Sequence, residues 1–251
     1  MKQYTILIVL LLAALAGHSS GQMDMVVKAN KAYSAGSYST AADLYKKVVA
    51  SGYEAPELYY NLGNTCFKMN DYAHAILWYE RARRLDPGNE DVEFNLNVAN
   101  TKISDKIEPL PVMFYKRWFN GFLQMFPVDT WAAIGIAMLI AGLLCGVLYL
   151  ASQILVLRKI GFWCGFGLLF LAIVSLTMAW SSDSFTKSTS EAIVFAPTIT
   201  VKSSPDDKST DLFVVHEGTK VRLVDNINGW YEIRIANGSV GWLPVTALEK
   251  I

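Results

Sequence analysis

Two long uncharged stretches dominate the hydrophobic pattern of the chain. No Asp, Glu, Lys or Arg lies between Asp129 and Arg158, and none follows Lys159 until Asp183. A helix of about 20 apolar residues is long enough to cross the hydrocarbon core of a bilayer. The pattern therefore predicts a transmembrane hairpin made of a first helix at residues 128–155, a turn at 156–159 and a second helix at 160–181.

The N-terminal 21 residues have the pattern of a secretory signal peptide. Lys2 precedes an apolar run from Ile6 to Ala16, and small residues follow that run. The run is too short to span a bilayer comfortably. An uncleaved signal anchor is the alternative, and it would also export the chain from about Gln22 onward. Because an even number of spans follows, polar sequence on both sides of the hairpin is expected in the same exported compartment.

An amphipathic segment precedes the first span, within residues 108–127. At 100° per residue its apolar side chains gather on one helical face, and its polar side chains take the other. The apolar set is Val112, Tyr115, Trp118, Phe119, Phe122, Leu123 and Phe126. This pattern predicts an interfacial helix that contacts membrane lipid. The alternative is a helix that packs on a soluble domain.

An internal repeat with a period of 34 residues marks the segment 22–107. The repeated set is Gly36, Tyr38, Ala41 and Tyr45, answered by Asn70, Tyr72, Ala75 and Tyr79. This period, with small residues at helix crossings and aromatic residues between them, resembles the tetratricopeptide repeat, in which each unit is a pair of antiparallel helices. We therefore expect an all-α module of two repeats, covered at its open end by a terminal helix.

The first helices of such repeats present a concave face, which is a candidate groove for a peptide. The residues expected there are Asn30, Tyr33, Tyr60, Asn61, Asn64, Phe67 and Lys68. Asparagine amides both donate to and accept from an extended backbone. Related domains that bind a C-terminal carboxylate use lysine and arginine where this chain has Val26, Asp91 and Asn95, so that specificity is not expected. The alternative is that these are solvated polar positions.

Beyond a linker at 182–191, the segment 192–251 changes to five short β-branched runs, at 192–201, 212–215, 220–224, 230–235 and 240–243, which predicts a small all-β barrel. Hairpin turns are predicted at Asn228-Gly229 and Asn237-Gly238, because these residues adopt positive φ easily. The runs around His216–Val221, Asn228–Ile233 and Gly238–Pro244 resemble the bacterial SH3-like domain. Some members of that family bind cell-wall peptides or protein segments through aromatic residues. The resemblance implies a candidate binding face at Trp230, Tyr231 and Trp242, and the alternative is that these rings fill the core.

Composition and chemistry narrow the function. Lys plus Arg and Asp plus Glu are both 22, so no net charge attracts nucleic acid. The three cysteines and three histidines have no metal-binding spacing, no catalytic triad accompanies either module, and the predicted spans lack the ionisable groups that transport requires. We expect no enzyme activity, no cofactor and no metal.

The order of signal, tetratricopeptide repeats, two-span hairpin and SH3-like domain resembles the E-type proteins of the Bat (Bacteroides aerotolerance) group over essentially the whole chain. The resemblance implies a bacterial inner-membrane protein with both soluble modules in the periplasm. It also implies partners with von Willebrand factor A domains, an indirect link to a MoxR-type ATPase, and a role in envelope or oxidative stress tolerance. The first hypothesis is a non-enzymatic adaptor, and the second is a protein that binds or senses peptidoglycan.

Overall fold

A computed structural model of the chain describes residues 21–188 and 190–251. The predicted signal peptide lies outside these residues, apart from Gly21. The chain forms two compact units. Of the described residues, the first unit contains those up to Leu85 together with Asn89–Pro109 and Glu191–Ile251, and the second contains Asp86–Gly88 and those from Leu110 to Ser190.

The first unit contains the predicted all-α module. Its helices are α1 (residues 21–34), α2 (Tyr38–Ala50), α3 (Pro56–Lys68), α4 (Tyr72–Leu85) and α5 (Glu90–Asn100). Helices α1 and α2 form one repeat, α3 and α4 form the second, and α5 packs against α4 as the predicted terminal helix.

The 34-residue period has a direct structural cause. Gly36 and Asn70 occupy equivalent turns after α1 and α3, and both have a left-handed backbone, with φ of 75° and 60°. Glycine and asparagine are the residues that adopt this conformation at least cost. At the helix crossing in the second repeat, the Cα of Gly63 lies directly under the buried ring of Tyr79. Small residues thus set how closely the helices approach.

The rest of the first unit is a seven-stranded antiparallel sheet, called here the C-terminal sheet. Its strands are β1 (Glu191–Val194), β2 (Thr198–Lys202), β3 (Asp211–His216), β4 (Lys220–Ile227), β5 (Trp230–Arg234), β6 (Val240–Pro244) and β7 (Leu248–Lys250). They are ordered β3-β2-β6-β5-β4-β1-β7. Buried side chains from β1 to β6 share one hydrophobic cluster, which fits an SH3-like domain.

The sheet has more strands than the sequence predicted. The run at 192–201 forms two strands, because a bend at Ala196 and Pro197 separates β1 from β2 and proline disrupts strand pairing. The three-residue strand β7 was missed because so short a segment shows no clear alternation. Asn228 and Gly229 both have positive φ, at 50° and 82°, which confirms the predicted hairpin turn.

The sequence analysis treated the two soluble modules as separate, yet they pack together in one unit. Ile193 of β1 is fully buried within the hydrophobic cluster of the helical repeat, and Phe195 and Ile251 pack against the same cluster. Burying an isoleucine side chain stabilises a fold by about 1.5–3 kcal/mol. On α4, Arg81 donates to the carbonyl oxygen of Lys250 at 2.6 Å, and Arg84 donates to that of Ile251 at 2.7 Å.

Charged side chains complete this contact. Asp105, after α5, accepts hydrogen bonds from the backbone N–H of His216 at 2.8 Å, the His216 ring at 2.7 Å and the Thr219 hydroxyl at 2.6 Å. Burial raises the pKa of Asp105, but the hydrogen bonds from Thr219 and His216 outweigh it and leave the pKa below the ordinary 3.8. The buried carboxylate of Glu80 accepts from Arg83 and, at 3.0 Å, from Lys220.

The second unit contains α6 (Phe114–Leu123), α7 (Val128–Ala151) and α8 (Leu155–Ser188). Two of these helices, α7 and α8, are long and apolar enough to cross a membrane, by length and composition. They pack closely because glycines face the partner helix. A Cβ on Gly135 would lie 2.8 Å from Leu176, and one on Gly161 would lie 2.9 Å from the carbonyl oxygen of Cys145.

The helix ends differ from the prediction. Helix α7 ends at Ala151, because Ser152 has an extended backbone and its hydroxyl accepts the N–H of Ile154 at 3.2 Å. The connection is therefore residues 152–154, and the Arg158-Lys159 pair lies at the start of α8 instead of in a turn at 156–159. Helix α8 also extends through most of the predicted linker.

Helix α6 is shorter than the predicted interfacial segment 108–127. It begins at Phe114, and residues 108–113 are not helical. Pro109 and Pro111 keep Glu108 and Leu110 out of a helix, because a residue that precedes proline is disfavoured in the helical conformation.

We expect Gly63→Ala to destabilise the helical repeat. A Cβ there would lie 2.6 Å from the ring of Tyr79, which is 1% exposed and has no room to move. Such overpacking costs about 1–3 kcal/mol and lowers Tm by several degrees. The measurement is thermal unfolding of the full chain in detergent, followed by circular dichroism. Gly121→Ala in α6, where nothing lies within 4 Å, is the matched control. An unchanged Tm in Gly63→Ala would contradict the packing.

We expect Asp105→Asn to weaken the contact between the helical repeat and the C-terminal sheet. The asparagine amide group would place its own N–H donors against the donors of His216 and Thr219 that now bind the Asp105 carboxylate. Disrupting such hydrogen bonds costs about 1–3 kcal/mol. Because the folded-state pKa of Asp105 is lowered, its contribution is present above pH 3.8 and is lost as the pH falls below that value.

Thermal unfolding of the wild type, Asp105→Asn and the exposed neighbour control Ser104→Ala between pH 3 and pH 8 tests this expectation. The difference in Tm between wild type and Asp105→Asn should be largest at neutral pH and should shrink in acid. Equal Tm values at pH 7 would show that the bonds to Asp105 contribute nothing.

Candidate partner-binding surfaces

The first candidate surface is the face formed by α1, α3 and α5 of the helical repeat, called here the repeat groove. Its centre is a hydrogen-bonded cluster around Asn64. The Asn64 side-chain oxygen accepts from the Tyr79 hydroxyl at 2.7 Å and from the Asn95 amide at 2.9 Å, and Asn95 also donates to the Tyr60 hydroxyl at 3.0 Å. Tyr60, Asn64 and Asn95 are half-buried, so the cluster reaches the surface.

The asparagines brace the two helices of each repeat. Tyr45 donates to the Asn30 oxygen at 2.5 Å, just as Tyr79 donates to Asn64, and each pair is 15 residues apart. The two bonds are related by the 34-residue period, so they belong to the repeat itself. In the cluster around Asn64 both bonds use the oxygen, so among the described residues its amide nitrogen keeps its donors for a ligand.

Two tyrosines of the first repeat, Tyr33 on α1 and Tyr45 on α2, remain neutral hydrogen-bonding groups. Burial, and then the neighbouring phenols of Tyr38 and Tyr60, raise the pKa of Tyr33. Burial and then Tyr33 raise the pKa of Tyr45 to about 12. Phenols with such pKa values stay protonated at physiological pH. The centre of the groove is therefore an uncharged surface of rings and amides.

The remaining predicted residues lie at the ends of the groove or point outward. The Phe67 ring packs edge-on against Tyr72 with the ring centroids 5.5 Å apart, and Lys68 is exposed. The backbone oxygen of Asn61 accepts from the Thr65 hydroxyl at 2.7 Å. Tyr33, with an edge-on contact to Tyr38 at 5.3 Å, lines the α1 side.

Asn95 is the groove residue that the sequence analysis did not select. It was considered only as a substitute for a basic residue of a carboxylate clamp. Its actual role, which is to link Tyr60 and Asn64, depends on how α5 packs against the second repeat. The 15-residue spacing of the two asparagine–tyrosine pairs is a sequence signal that could have revealed the bracing.

Cys66 lies below the groove and is not a reactive thiol. It is buried, and burial raises its pKa to about 12. The thiolate is the reactive form of cysteine, so this side chain is a poor nucleophile at neutral pH. Within the described residues, no three His, Cys, Asp or Glu side chains lie together in a way that could hold a metal ion.

The second candidate surface lies on the C-terminal sheet. In the β5–β6 register, Trp230 pairs with Pro244 and Glu232 pairs with Trp242. Since alternate residues of a strand point to opposite faces, both tryptophans share one face with Pro244. Both are partly exposed, and neither is among the residues of the core cluster. We call this set the tryptophan face.

The structure separates Tyr231 from the tryptophan face. Tyr231 pairs with the fully buried Leu243 and packs against the core cluster. Lys250 lies 5.1 Å from the centre of its ring, in a cation–π contact. Lys202, opposite Trp242, belongs beside the two tryptophans and was not predicted, because cross-strand neighbours depend on the register.

Comparisons with known proteins agree with both modules. A family model described as tetratricopeptide repeat matches residues 26–90, and one described as bacterial SH3 domain matches residues 197–249. A search of curated proteins found no match. The second match begins after β1, the strand that packs into the helical repeat. The chain thus contains a tetratricopeptide repeat and a bacterial SH3 domain, and both predictions are confirmed.

Proposed function

We propose that the protein is a membrane-anchored interaction protein whose repeat groove binds an extended segment of a partner protein. The observation that carries this proposal is the half-buried cluster of Tyr60, Asn64 and Asn95, in which intramolecular bonds fix the side chains at the surface. Side chains held in place lose little conformational entropy when a ligand binds, which favours affinity.

The chemistry of the groove defines the ligand class. Neutral phenols and amides donate to and accept from peptide groups, while the aromatic rings contact apolar side chains. The absence of a basic pair among the groove residues makes a terminal carboxylate a poor ligand. An internal segment of a partner, with polar backbone and apolar side chains, fits best.

The contact between the helical repeat and the C-terminal sheet supports a hairpin topology for the anchor. Two domains that share a core lie on the same side of any membrane, and α7 and α8 lie between them in the chain. If these helices cross a bilayer, they cross it an even number of times. The predicted export signal and the family resemblance make the common side the periplasm and the membrane the bacterial inner membrane.

The resemblance to the E-type proteins of the Bat group supplies the proposed partners. These are membrane proteins with von Willebrand factor A domains, which would link the chain indirectly to a MoxR-type ATPase. The short connection at residues 152–154 offers little cytoplasmic surface, so coupling through partner proteins is the more economical route. A role in envelope or oxidative stress tolerance follows from the same resemblance.

A second candidate function is peptidoglycan binding, and the tryptophan face favours it. Trp230 and Trp242 are partly exposed on one side of the SH3 domain, with Pro244 and Lys202 beside them. Indole rings contact the apolar faces of sugars and peptides. Lys202 forms an ion pair with Asp211 at 2.6 Å, so its charge is already compensated within the sheet.

We expect the full chain in detergent micelles to bind an exported region of a von Willebrand factor A domain partner from the same bacterium. The double variant Tyr60→Ala/Phe67→Ala should weaken this binding at least tenfold, since aromatic residues dominate the energy of interfaces. Isothermal titration calorimetry provides the measurement.

Tyr53→Ala is the matched control, because Tyr53 is an exposed tyrosine between α2 and α3 and lies outside the groove. Equal affinities for wild type and the double variant would refute the repeat groove as the binding surface.

Titration with muropeptides distinguishes the second candidate function, peptidoglycan binding, from the first. Saturable binding that Trp230→Ala and Trp242→Ala abolish, with no binding of the protein partner, would favour peptidoglycan.

The proposed topology predicts which positions react with a membrane-impermeant maleimide added to spheroplasts. In a chain whose native cysteines are replaced by serine, Ser51→Cys and Ser190→Cys should both be labelled. Gln153→Cys, in the connection between α7 and α8, should be labelled only after the membrane is permeabilised. Labelling of only one of the first two positions would rule out the hairpin.

A further inference from the structure

Helix α6 carries a row of aromatic side chains that its own unit leaves exposed. Phe114 and Trp118 are 79% and 75% exposed, although burial is the usual state of such large apolar groups. Tyr115, Phe119 and Phe122 continue the same face. A contiguous apolar surface of this kind marks an interaction site.

The row is held in a fixed position at the start of α7. The Trp131 indole donates to the backbone oxygen of Leu123, at the end of α6, at 3.2 Å. The Trp131 ring also contacts Phe122 and Phe126, with centroids 5.5 and 5.3 Å away. On α8, the Ser175 hydroxyl donates to the backbone oxygen of Trp131 at 2.7 Å, which ties the corner to the second long helix.

The charged side chains of α6 are all basic. Between Glu108 and Asp129 there is no acidic residue, and the charged side chains are Lys116 and Arg117. At 100° per residue both project away from the centre of the aromatic row. Their long side chains can reach phosphate groups while the helix lies flat, since lysine and arginine extend their charged ends toward water.

We propose that α6 is a lipid-binding helix that lies along the membrane surface, with its aromatic row at the boundary between headgroups and acyl chains and with Lys116 and Arg117 bound to headgroup phosphates. This inference rests on the proposed membrane hairpin. It assigns to α6 the task of fixing the angle and depth at which the chain leaves the bilayer.

Lipid is a better occupant than a partner protein because of where the row lies. Only residues 124–127 separate α6 from Val128, the first residue of a helix apolar enough to span a membrane. Tryptophan and tyrosine concentrate at this boundary, since their rings are apolar and their N–H or O–H groups reach water. The basic side chains also complement the phosphates of any bilayer.

Spin labels on the full chain test this proposal in vesicles of phosphatidylethanolamine and phosphatidylglycerol. Nitroxides are placed at Phe119→Cys on the aromatic row and at Gln124→Cys on the opposite face, in a chain whose native cysteines are replaced. Collisions with oxygen, which concentrates in lipid, are compared with collisions with a water-soluble nickel complex. The label at 119 should collide with oxygen severalfold more often than with the nickel complex, and the label at 124 should collide more often with the nickel complex.

A third label at Leu143→Cys, on the exposed face of α7, separates failure of this proposal from failure of the hairpin. If position 143 favours oxygen while position 119 favours nickel, the hairpin stands and the lipid-binding role of α6 is wrong. If both favour nickel, the hairpin fails and the proposal fails with it. If both reagents are excluded at 119, the row packs against protein, which also overturns the proposal.

Discussion

The packing of β1 and β7 against α4 is the contact on which the organisation of the first unit depends. Ile193 completes the core of the helical repeat, while Arg81 and Arg84 bind carbonyl oxygens at the edge of the sheet. An exposed sheet edge is prone to pair with other chains, and the arginines cover this one. The two modules therefore stabilise each other, because each buries surface that the other would leave exposed.

This contact also decides which surfaces remain for partners. Helix α4 packs against the sheet, so the surface that remains for the ligand we propose is on the opposite side, where α1, α3 and α5 present rings and amides. The tryptophan face lies on β5 and β6, away from β1. One body thus carries two aromatic surfaces of different chemistry, and this arrangement suits a protein that holds partners together.

The membrane-spanning part that we propose follows a different physical rule. Inside lipid the hydrophobic effect does not drive helices together, because lipid tails are as apolar as the side chains. Helix association there depends on close van der Waals packing. Gly135 and Gly161 allow α7 and α8 to approach each other closely. The exposed faces of the two helices are almost wholly apolar. Residues 130–157 and 160–182 contain no Asp, Glu, Lys, Arg or His, which agrees with the anchoring role that we propose.

The sequence by itself determined the elements whose signals are local or periodic: two long apolar helices, two 34-residue repeats, and a sheet with Asn-Gly turns. Tertiary structure alone decided what depends on register and docking. Strand register separated Tyr231 from Trp230, helix packing made Asn95 part of the repeat groove, and docking joined the repeat to the sheet through Asp105. The hydrogen bonds of Asn95 and Asp105 join residues 31 to 114 positions apart along the chain, and Trp230 and Tyr231 lie on opposite faces of one strand. No periodicity records such pairs.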